Sequence, residues 1–186
     1  IGIAKNGKWY HTESVNAPID SGQPLSIILD PQNPYLITSN TNLKLDLIFP
    51  VLHGTDGEDG SIQGLLQTLR IPYVGSGVIG SSAAMDKLLT KRVLKSADVP
   101  VARFLDYHIS ERAGISYQEV KTELGMPVII KPTNLGSSVG VSKVANEAEF
   151  VMALDDAFKY DDSVLIEEFV VAREVECAIL GNVNPI

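Results

Sequence analysis

Leu45-Asp46-Leu47-Ile48-Phe49-Pro50-Val51-Leu52 runs into His53-Gly54-Thr55-Asp56-Gly57-Glu58-Asp59-Gly60, and then into Ser61-Ile62-Gln63-Gly64-Leu65-Leu66-Gln67-Thr68-Leu69. The first run is nearly continuous apolar sequence, as expected for a strand buried on both faces of a parallel sheet. The second is a polar, glycine-rich loop. In the third, Ile62, Leu65, Leu66 and Leu69 recur at helical spacing, with Asp59 or Ser61 as the cap. Ile71-Pro72-Tyr73-Val74 reads as the next short strand. Strand, helix and strand in this order predict an α/β layer.

Downstream, Ser81 or Ser82 opens a second helix to about Ala97, with Met85, Leu88, Leu89 and Val93 on its apolar side and Pro100 as the stop. Val101 to Tyr107 reads as extended. Ser116 with Glu119 is a capping box, and Gly125 ends that helix. Val128-Ile129-Ile130-Lys131 and Val141 to Val144 are strands, and Asn146 with Glu149 caps a helix to about Tyr160. Val164 to Val170 and Glu174 to Leu180 are two further strands. This half is strand-rich and antiparallel, unlike the βαβ pattern before it, and the boundary falls near Gly77. Upstream, Ile1 to Ala4 reads as a strand, Asn6-Gly7 as a hairpin turn, Lys8-Trp9-Tyr10 as an exposed strand and Leu25 to Leu29 as a short strand. The opening at Ile1 and the close at Asn184-Pro185-Ile186 suggest an internal piece of a longer protein.

The chain has 186 residues, 45% hydrophobic and 20% charged, enough for a sizeable core in two compact domains at most. Its net charge of -8 is the wrong sign for a nucleic-acid binder working through phosphate neutralisation. A lone cysteine, Cys177, forms no internal disulfide and points to a reducing cytoplasm. No apolar run reaches the roughly 18 residues of a membrane helix, and no signal peptide is visible.

Several stretches carry chemistry. Gly75-Ser76-Gly77-Val78-Ile79-Gly80 matches G-x-G-x-x-G, but the acidic residue of a full dinucleotide fingerprint is misplaced, since Asp98 sits at a helix end. A glycine-rich connection between layers is the simpler reading. Gly136-Ser137-Ser138-Val139-Gly140 joins strand to strand and is no P-loop. It is either a flexible connector or, with Lys131 five residues upstream, a backbone cradle for an anion. His53 sits where a parallel strand ends and a helix begins, the position at which open α/β sheets bind ligands. Beside Asp56, Glu58 and Asp59 but with no partner histidine it makes a weak metal site; it is either hydrogen-bonded in a tight loop whose acids cap the helix, or it serves a substrate. Lys87 in Met85-Asp86-Lys87 reads by itself as a solvated lysine. Glu167-Glu168 and Arg173-Glu174-Val175-Glu176 are either a solvated strand edge or a frame for an adenosine.

In order, His53-Gly-Thr-Asp-Gly-Glu-Asp-Gly-Ser-Ile-Gln-Gly64, Ile71-Pro-Tyr-Val-Gly-Ser-Gly77, Met85-Asp-Lys87, Lys131-Pro132, Gly136-Ser-Ser-Val-Gly-Val-Ser-Lys143, Glu167-Glu-Phe-Val170 and Arg173-Glu174 closely resemble D-alanine–D-alanine ligases of the ATP-grasp superfamily. The resemblance runs from about Leu45 to Asn182. It implies an α/β fold: a Rossmann-like N-terminal (pre-ATP-grasp) domain over residues 1–76, a small α+β ATP-grasp nucleotide-binding domain over 77–168, and the start of a truncated C-terminal ATP-grasp domain over 169–186. The implied reaction is ATP-dependent joining of two D-alanines through an acyl phosphate, for peptidoglycan precursors, in a magnesium-using cytoplasmic enzyme that is commonly a homodimer.

The resemblance also implies roles. Lys87 and Lys131 contact the ATP phosphates. Gly136 to Gly140 covers them, with Ser138 on phosphate and Ser137 also near the substrate. Glu167, Glu168 and Val170 line the adenine, and Glu174 holds the ribose. His53 lies by the first D-alanine, oriented by Glu58. No magnesium ligand is assigned within the chain; the family's ligands fall in its later portion, as does the loop that distinguishes D-alanine from D-lactate or D-serine as second substrate. Ala172 stands where the family often has Gly. The chain by itself is expected to lack turnover. A non-catalytic ATP-binding module is the alternative within the fold, and a dinucleotide-dependent oxidoreductase the alternative outside it.

Overall fold

A computed structural model describes the chain except residues 29, 31, 33–34, 40–41 and 182–183. It divides into two compact units, residues 1–90 with 134–137, and residues 91–133 with 138–186.

The first unit opens with an antiparallel meander, β1 (Gly2–Ile3), β2 (Trp9–His11), β3 (Gln23–Ile28), β4 (Tyr35–Ile37) and β5 (Asn42–Lys44), paired in chain order. The predicted turn at Asn6-Gly7 is present: Gly7 has φ 79°, and Ala4 N–H donates to Lys8 O at 2.8 Å. The Trp9 strand, expected to be exposed, is instead paired on both sides, by β1 and β3. The expected strand at Leu25 to Leu29 lies within β3, apart from Leu29, which is outside the described residues.

Helix α1 (Ser61–Thr68) turns Ile62 and Leu66 inward, where they pack with Leu69 and Ile71 against Ile3, Trp9, Ile27, Leu45, Ile48 and Leu52. The apolar run Leu45–Leu52 is not the doubly buried strand expected. Its parallel pairing is a single bridge, Ile48 to Tyr73, with Ile48 N–H donating to Pro72 O and Val74 N–H to Ile48 O, both at 2.9 Å. Ile48 and Leu52 face the α1 cluster, while Leu47, Phe49 and Val51 are exposed. A run reads as doubly buried only if both faces are covered, and here one is.

The single helix expected from Ser81 to Ala97 is two, α2 (Val78–Met85) and α3 (Lys87–Ser96). Asp86 breaks the run with an extended backbone, φ -81° and ψ 106°. Its Oδ1 accepts from Leu89 N–H at 2.9 Å, so it caps the helix that follows. A short acidic side chain gains more by satisfying orphan N–H groups than by sitting inside a helix.

The second unit is a sheet of four antiparallel strands in the order β6 (Phe104–His108), β9 (Ser163–Glu168), β7 (Val128–Pro132), β8 (Ser142–Val144). Helices α4 (Tyr117–Leu124) and α5 (Glu147–Ala157) supply the core's other layer. Both predicted N-caps form: Ser116 Oγ accepts from Glu119 N–H at 3.4 Å and Asn146 Oδ1 from Glu149 N–H at 3.0 Å. Side chains alternate across a strand with period two. Val128, Ile130, Val164 and Ile166 therefore join Val120, Phe150, Ala153, Leu154 and Ala157 in one buried cluster. Lys131 and Glu167, one step out of phase, lie on the opposite face. The strand expected over Glu174 to Leu180 does not form. Among the described residues no strand pairs with it, and Val175, Ile179 and Leu180 are exposed. A strand needs a ladder partner before its apolar pattern can be realised.

Phe150 is fully buried and meets the Tyr117 ring edge-on at 5.5 Å between centroids. Phe150→Ala is expected to cost about 3–5 kcal/mol, read as a lowered urea midpoint.

Candidate functional site

The polar face of the second unit's sheet centres on Glu167. Its Oε2 accepts from Lys131 Nζ at 2.7 Å, and its Oε1 lies 3.0 Å from Lys91 Nζ. All three side chains are largely buried, with 11%, 19% and 13% of their surface exposed for Glu167, Lys131 and Lys91. The pairing follows from register: Lys131 stands opposite Leu165 and Ile129 opposite Glu167, so the lysine and the glutamate share one face of neighbouring strands. Removing one partner from such a buried pair strands a charge, at about 3–5 kcal/mol.

Lys91 is the residue that sequence reasoning missed, because nothing in its helix distinguishes it from a solvated lysine. Its ammonium lies 5.3 Å from the Phe104 ring centroid and 3.4 Å from Ala102 O. The one available signal was that Lys91 sits one helical turn beyond Lys87, on the same side of the helix.

Glu168, the next residue on β9, is engaged elsewhere. Arg103 N–H donates to its Oε1 at 2.8 Å and Arg103 Nε to its Oε2 at 2.7 Å. The Arg103 guanidinium is held in turn by the carbonyls of Glu123 and Leu124. The Arg103 N–H first, and its guanidinium second, keep the Glu168 carboxyl below the usual carboxylate range. Val170 and Glu174 follow β9 in an exposed, irregular segment. Lys143 Nζ sits 3.6 Å from the centroid of the Phe169 ring, a cation–π contact.

The 136–140 loop has an unusual backbone. Ser137 and Ser138 both take positive φ, 54° and 58°, as does Gly140 at 68°. Non-glycine residues in this region carry strain and cluster at functional sites. Gly140 is required twice over: a Cβ there would meet Tyr160 Cδ2 at 2.9 Å and Pro132 Cγ at 3.0 Å. At the start of the loop, Thr133 Oγ1 donates to Asp161 Oδ2 at 2.7 Å.

In the first unit, Lys87 opens α3 and its ammonium donates to the carbonyl of Leu135, next to Gly136. His53 is exposed, its Nδ1 3.7 Å from Glu58 Oε1, while Glu58 Oε2 accepts from Gly54 N–H at 2.6 Å. The N-cap of α1 is Gly60, with no side-chain cap bond, rather than Asp59 or Ser61 as expected; Asp59, one residue earlier, accepts from Ser61 N–H at 2.9 Å and from Asp56 N–H at 2.8 Å. Burial alone would raise its carboxyl, but these hydrogen bonds outweigh it and hold the group below its ordinary range. Gly60, with φ 95°, lets the loop pass so close to the next helix that a Cβ would strike Ser82 Oγ. A cavity of about 770 Å³ lies on the second unit beside Val99–Phe104, with Arg92, Lys95 and Glu123 at its rim. A second, of about 640 Å³, lies on the first unit, lined by His53, Asp56, Ser61, Trp9 and Ile62.

The dinucleotide reading of Gly75–Gly80 finds no support. The Tyr73 segment before it pairs only at one bridge, and Asp98 is a positive-φ residue after α3 rather than a strand end.

The family model for the D-ala D-ala ligase N-terminus matches residues 1–76, and that for the D-ala D-ala ligase C-terminus matches residues 93–186. The chain is therefore a member of the D-alanine–D-alanine ligase family, with that family's mixed α/β architecture: an N-terminal domain followed by part of the ATP-grasp region. Over its whole length it is 44% identical to the D-alanine–D-alanine ligase of Oceanobacillus iheyensis and 43% identical to D-alanine–D-alanine ligase A of Escherichia coli, of which it covers 54% and 55%. It thus spans about half the length of the curated relatives it matches. The D-alanine–D-alanine ligase of Coxiella burnetii superimposes with a TM-score of 0.89 at 34% identity, over 98% of this chain and 57% of that one. VanG, a D-Ala:D-Ser ligase of Enterococcus faecalis, gives 0.88 at 31% identity, over 100% and 56%.

Two outcomes are expected. Gly140→Ala destabilises the protein by about 1–2 kcal/mol through its left-handed backbone alone, seen as a lower thermal midpoint, with the Tyr160 contact adding to it. The Glu168 pair contributes stability above the unfolded glutamate value, about 4.3, because the folded carboxyl is the more acidic. That contribution is lost as pH falls through the folded value, so E168Q should show less acid-induced loss of urea stability than the unsubstituted protein.

Proposed function

We propose that this chain supplies the first-substrate and nucleotide-binding portions of an ATP-dependent ligase that joins two D-alanine molecules. The observation that carries the reading is the Lys91–Glu167–Lys131 cluster on the polar face of a sheet in a chain of this family. In the second unit, Lys131 and the backbone from Ser138 to Gly140 receive the phosphates. Glu167, the backbone at Glu168, and Val170 line the adenine; Glu174 holds the ribose. The Glu168 carboxylate belongs to Arg103, so its contribution to the nucleotide is its main chain. In the first unit, Lys87 and the Gly136-Ser137 end of the loop serve the phosphates and Ser137 the substrate, while His53, oriented by Glu58, lies by the first D-alanine. The division of labour is residues 1–76 for substrate, 77–168 for nucleotide and 169–186 opening the next region, supported by family matches that end at 76 and resume at 93.

The D-alanine carboxylate oxygen attacks the γ-phosphorus of ATP, releasing ADP. The amine of the second D-alanine then attacks the acyl phosphate, a tetrahedral intermediate collapses, and phosphate leaves with the dipeptide. Phosphoryl transfer needs positioning and charge neutralisation more than a protein nucleophile, which suits a site of lysines and backbone N–H groups. The family's reaction also calls for a divalent metal, taken here as magnesium. Among the described residues no three His, Cys, Asp or Glu side chains converge to hold one. By themselves these described residues do not fit a metal centre. The enzyme is proposed to act as a cytoplasmic homodimer in peptidoglycan precursor synthesis. No described helix is long and apolar enough to cross a membrane.

A D-alanine–D-serine ligase is the second reading, favoured by the VanG superposition. Purified at the length its cell makes, the protein is expected to release phosphate from ATP with D-alanine alone, with the dipeptide confirmed by mass. Release only with added D-serine or D-lactate would move the assignment to a mixed-product ligase. ATP binding without release in any mixture would indicate a binding module.

A further inference from the structure

Two ammonium groups share one carboxylate in the second unit, and the carboxylate divides its oxygens between them: Oε2 to Lys131, Oε1 to Lys91. Among the described residues Glu167 is the one acid within ion-pair reach of either lysine, so the trio carries a net positive charge in a largely buried place. The other acid on that face, Asp106, is taken by Arg92 at 2.9 Å. A surplus cation in such a site attracts an anion. It also raises a difficulty, because a lysine that turns to a phosphate must give up, or share, its carboxylate partner.

We infer that Lys91 is a positioning residue that keeps Glu167 compensated and in place when Lys131 engages the phosphates of a nucleoside triphosphate. The inference rests on the reading of Lys131 as a phosphate ligand. Lys91 is suited to this because it is anchored independently of Lys131. It belongs to α3, lies against the Phe104 ring and reaches the Ala102 carbonyl. Its contact with Glu167 uses the oxygen that Lys131 does not. Lys131 can therefore swing away without leaving a buried carboxylate uncompensated, which is the costly outcome for an ion pair out of water. The two lysines divide the work: Lys131 moves between carboxylate and phosphate, and Lys91 stays.

The test is calorimetric titration of the protein with ATP and, separately, with adenosine, which lacks phosphates. K91M should weaken ATP binding at least tenfold, about 1.4 kcal/mol, and leave adenosine binding within about twofold. K91R should restore most of the loss. In an E167Q background, where an amide needs no counter-ion, adding K91M should cost little further. Thermal melting checks folding, and K91Q is read the same way should K91M not fold. Equal losses for ATP and adenosine, or a loss that persists in the E167Q background, would make Lys91 merely structural and overturn the inference. So would unchanged ATP binding by K91M, with the ligase reading left standing. Failure of the unsubstituted protein to bind ATP overturns both.

Discussion

A buried carboxylate held between two lysine ammoniums is what the second unit's architecture is arranged to provide. Glu167 reaches that position because β9 is an inner strand, paired by β6 on one side and β7 on the other along nearly its whole length. With both neighbours in place its alternation is fixed. Val164 and Ile166 enter the core against α5, and Glu167 must face the other way. A slip of one residue would carry the glutamate into the apolar layer and the valine out of it. The core therefore specifies the site: the same burial that stabilises the sheet enforces the side on which the charges emerge.

This coupling explains which parts of the fold were legible in the sequence. Helices α1, α4 and α5 were readable because each carries its own instructions, an apolar face at helical spacing and, for α4 and α5, a short polar cap at its start. Strands β7 and β9 were readable because their apolar residues recur where both neighbours cover them. What failed were segments whose structure depends on something outside themselves. Leu45–Leu52 has the composition of a covered strand, but only one of its faces is covered. Glu174 to Leu180 has the alternation of a strand without a described partner. The break at Asp86 was misjudged because the apolar residues on either side suit one continuous helix, and the preference of a single aspartate for capping overrides them.

The candidate site divides along similar lines. Lys131, Glu167 and the loop glycines become candidates only through the order of their motifs and the family that this order resembles. Lys91 could not be found that way, because its partner lies 76 positions away on β9 and the two meet only once the unit is folded. The engagement of Glu168 with Arg103 was hidden for the same reason. Neighbouring glutamates look equivalent in a sequence, yet period-two alternation sends one to the polar face and the other to an arginine anchored on the end of α4.

The 136–140 loop shows how the remaining geometry depends on the sheet. Strand β8 pairs with β7 only as far as Ile130 opposite Ser142, whereas β7 continues to Pro132 along β9. Lys131 and Pro132 are therefore fixed on one side and free of ladder bonds to β8 on the other, and the hairpin splays open where the lysine begins. A loop that bridges such an opening must turn sharply, and it does so with Ser137, Ser138 and Gly140 all at positive φ, the glycine lying so close to Pro132 and Tyr160 that no Cβ would fit. Left-handed serines cost about 1–2 kcal/mol each. That strain persists only because strands paired into a fully buried core hold both ends of the loop. A backbone already held in this shape leaves less ordering cost for anything that binds it.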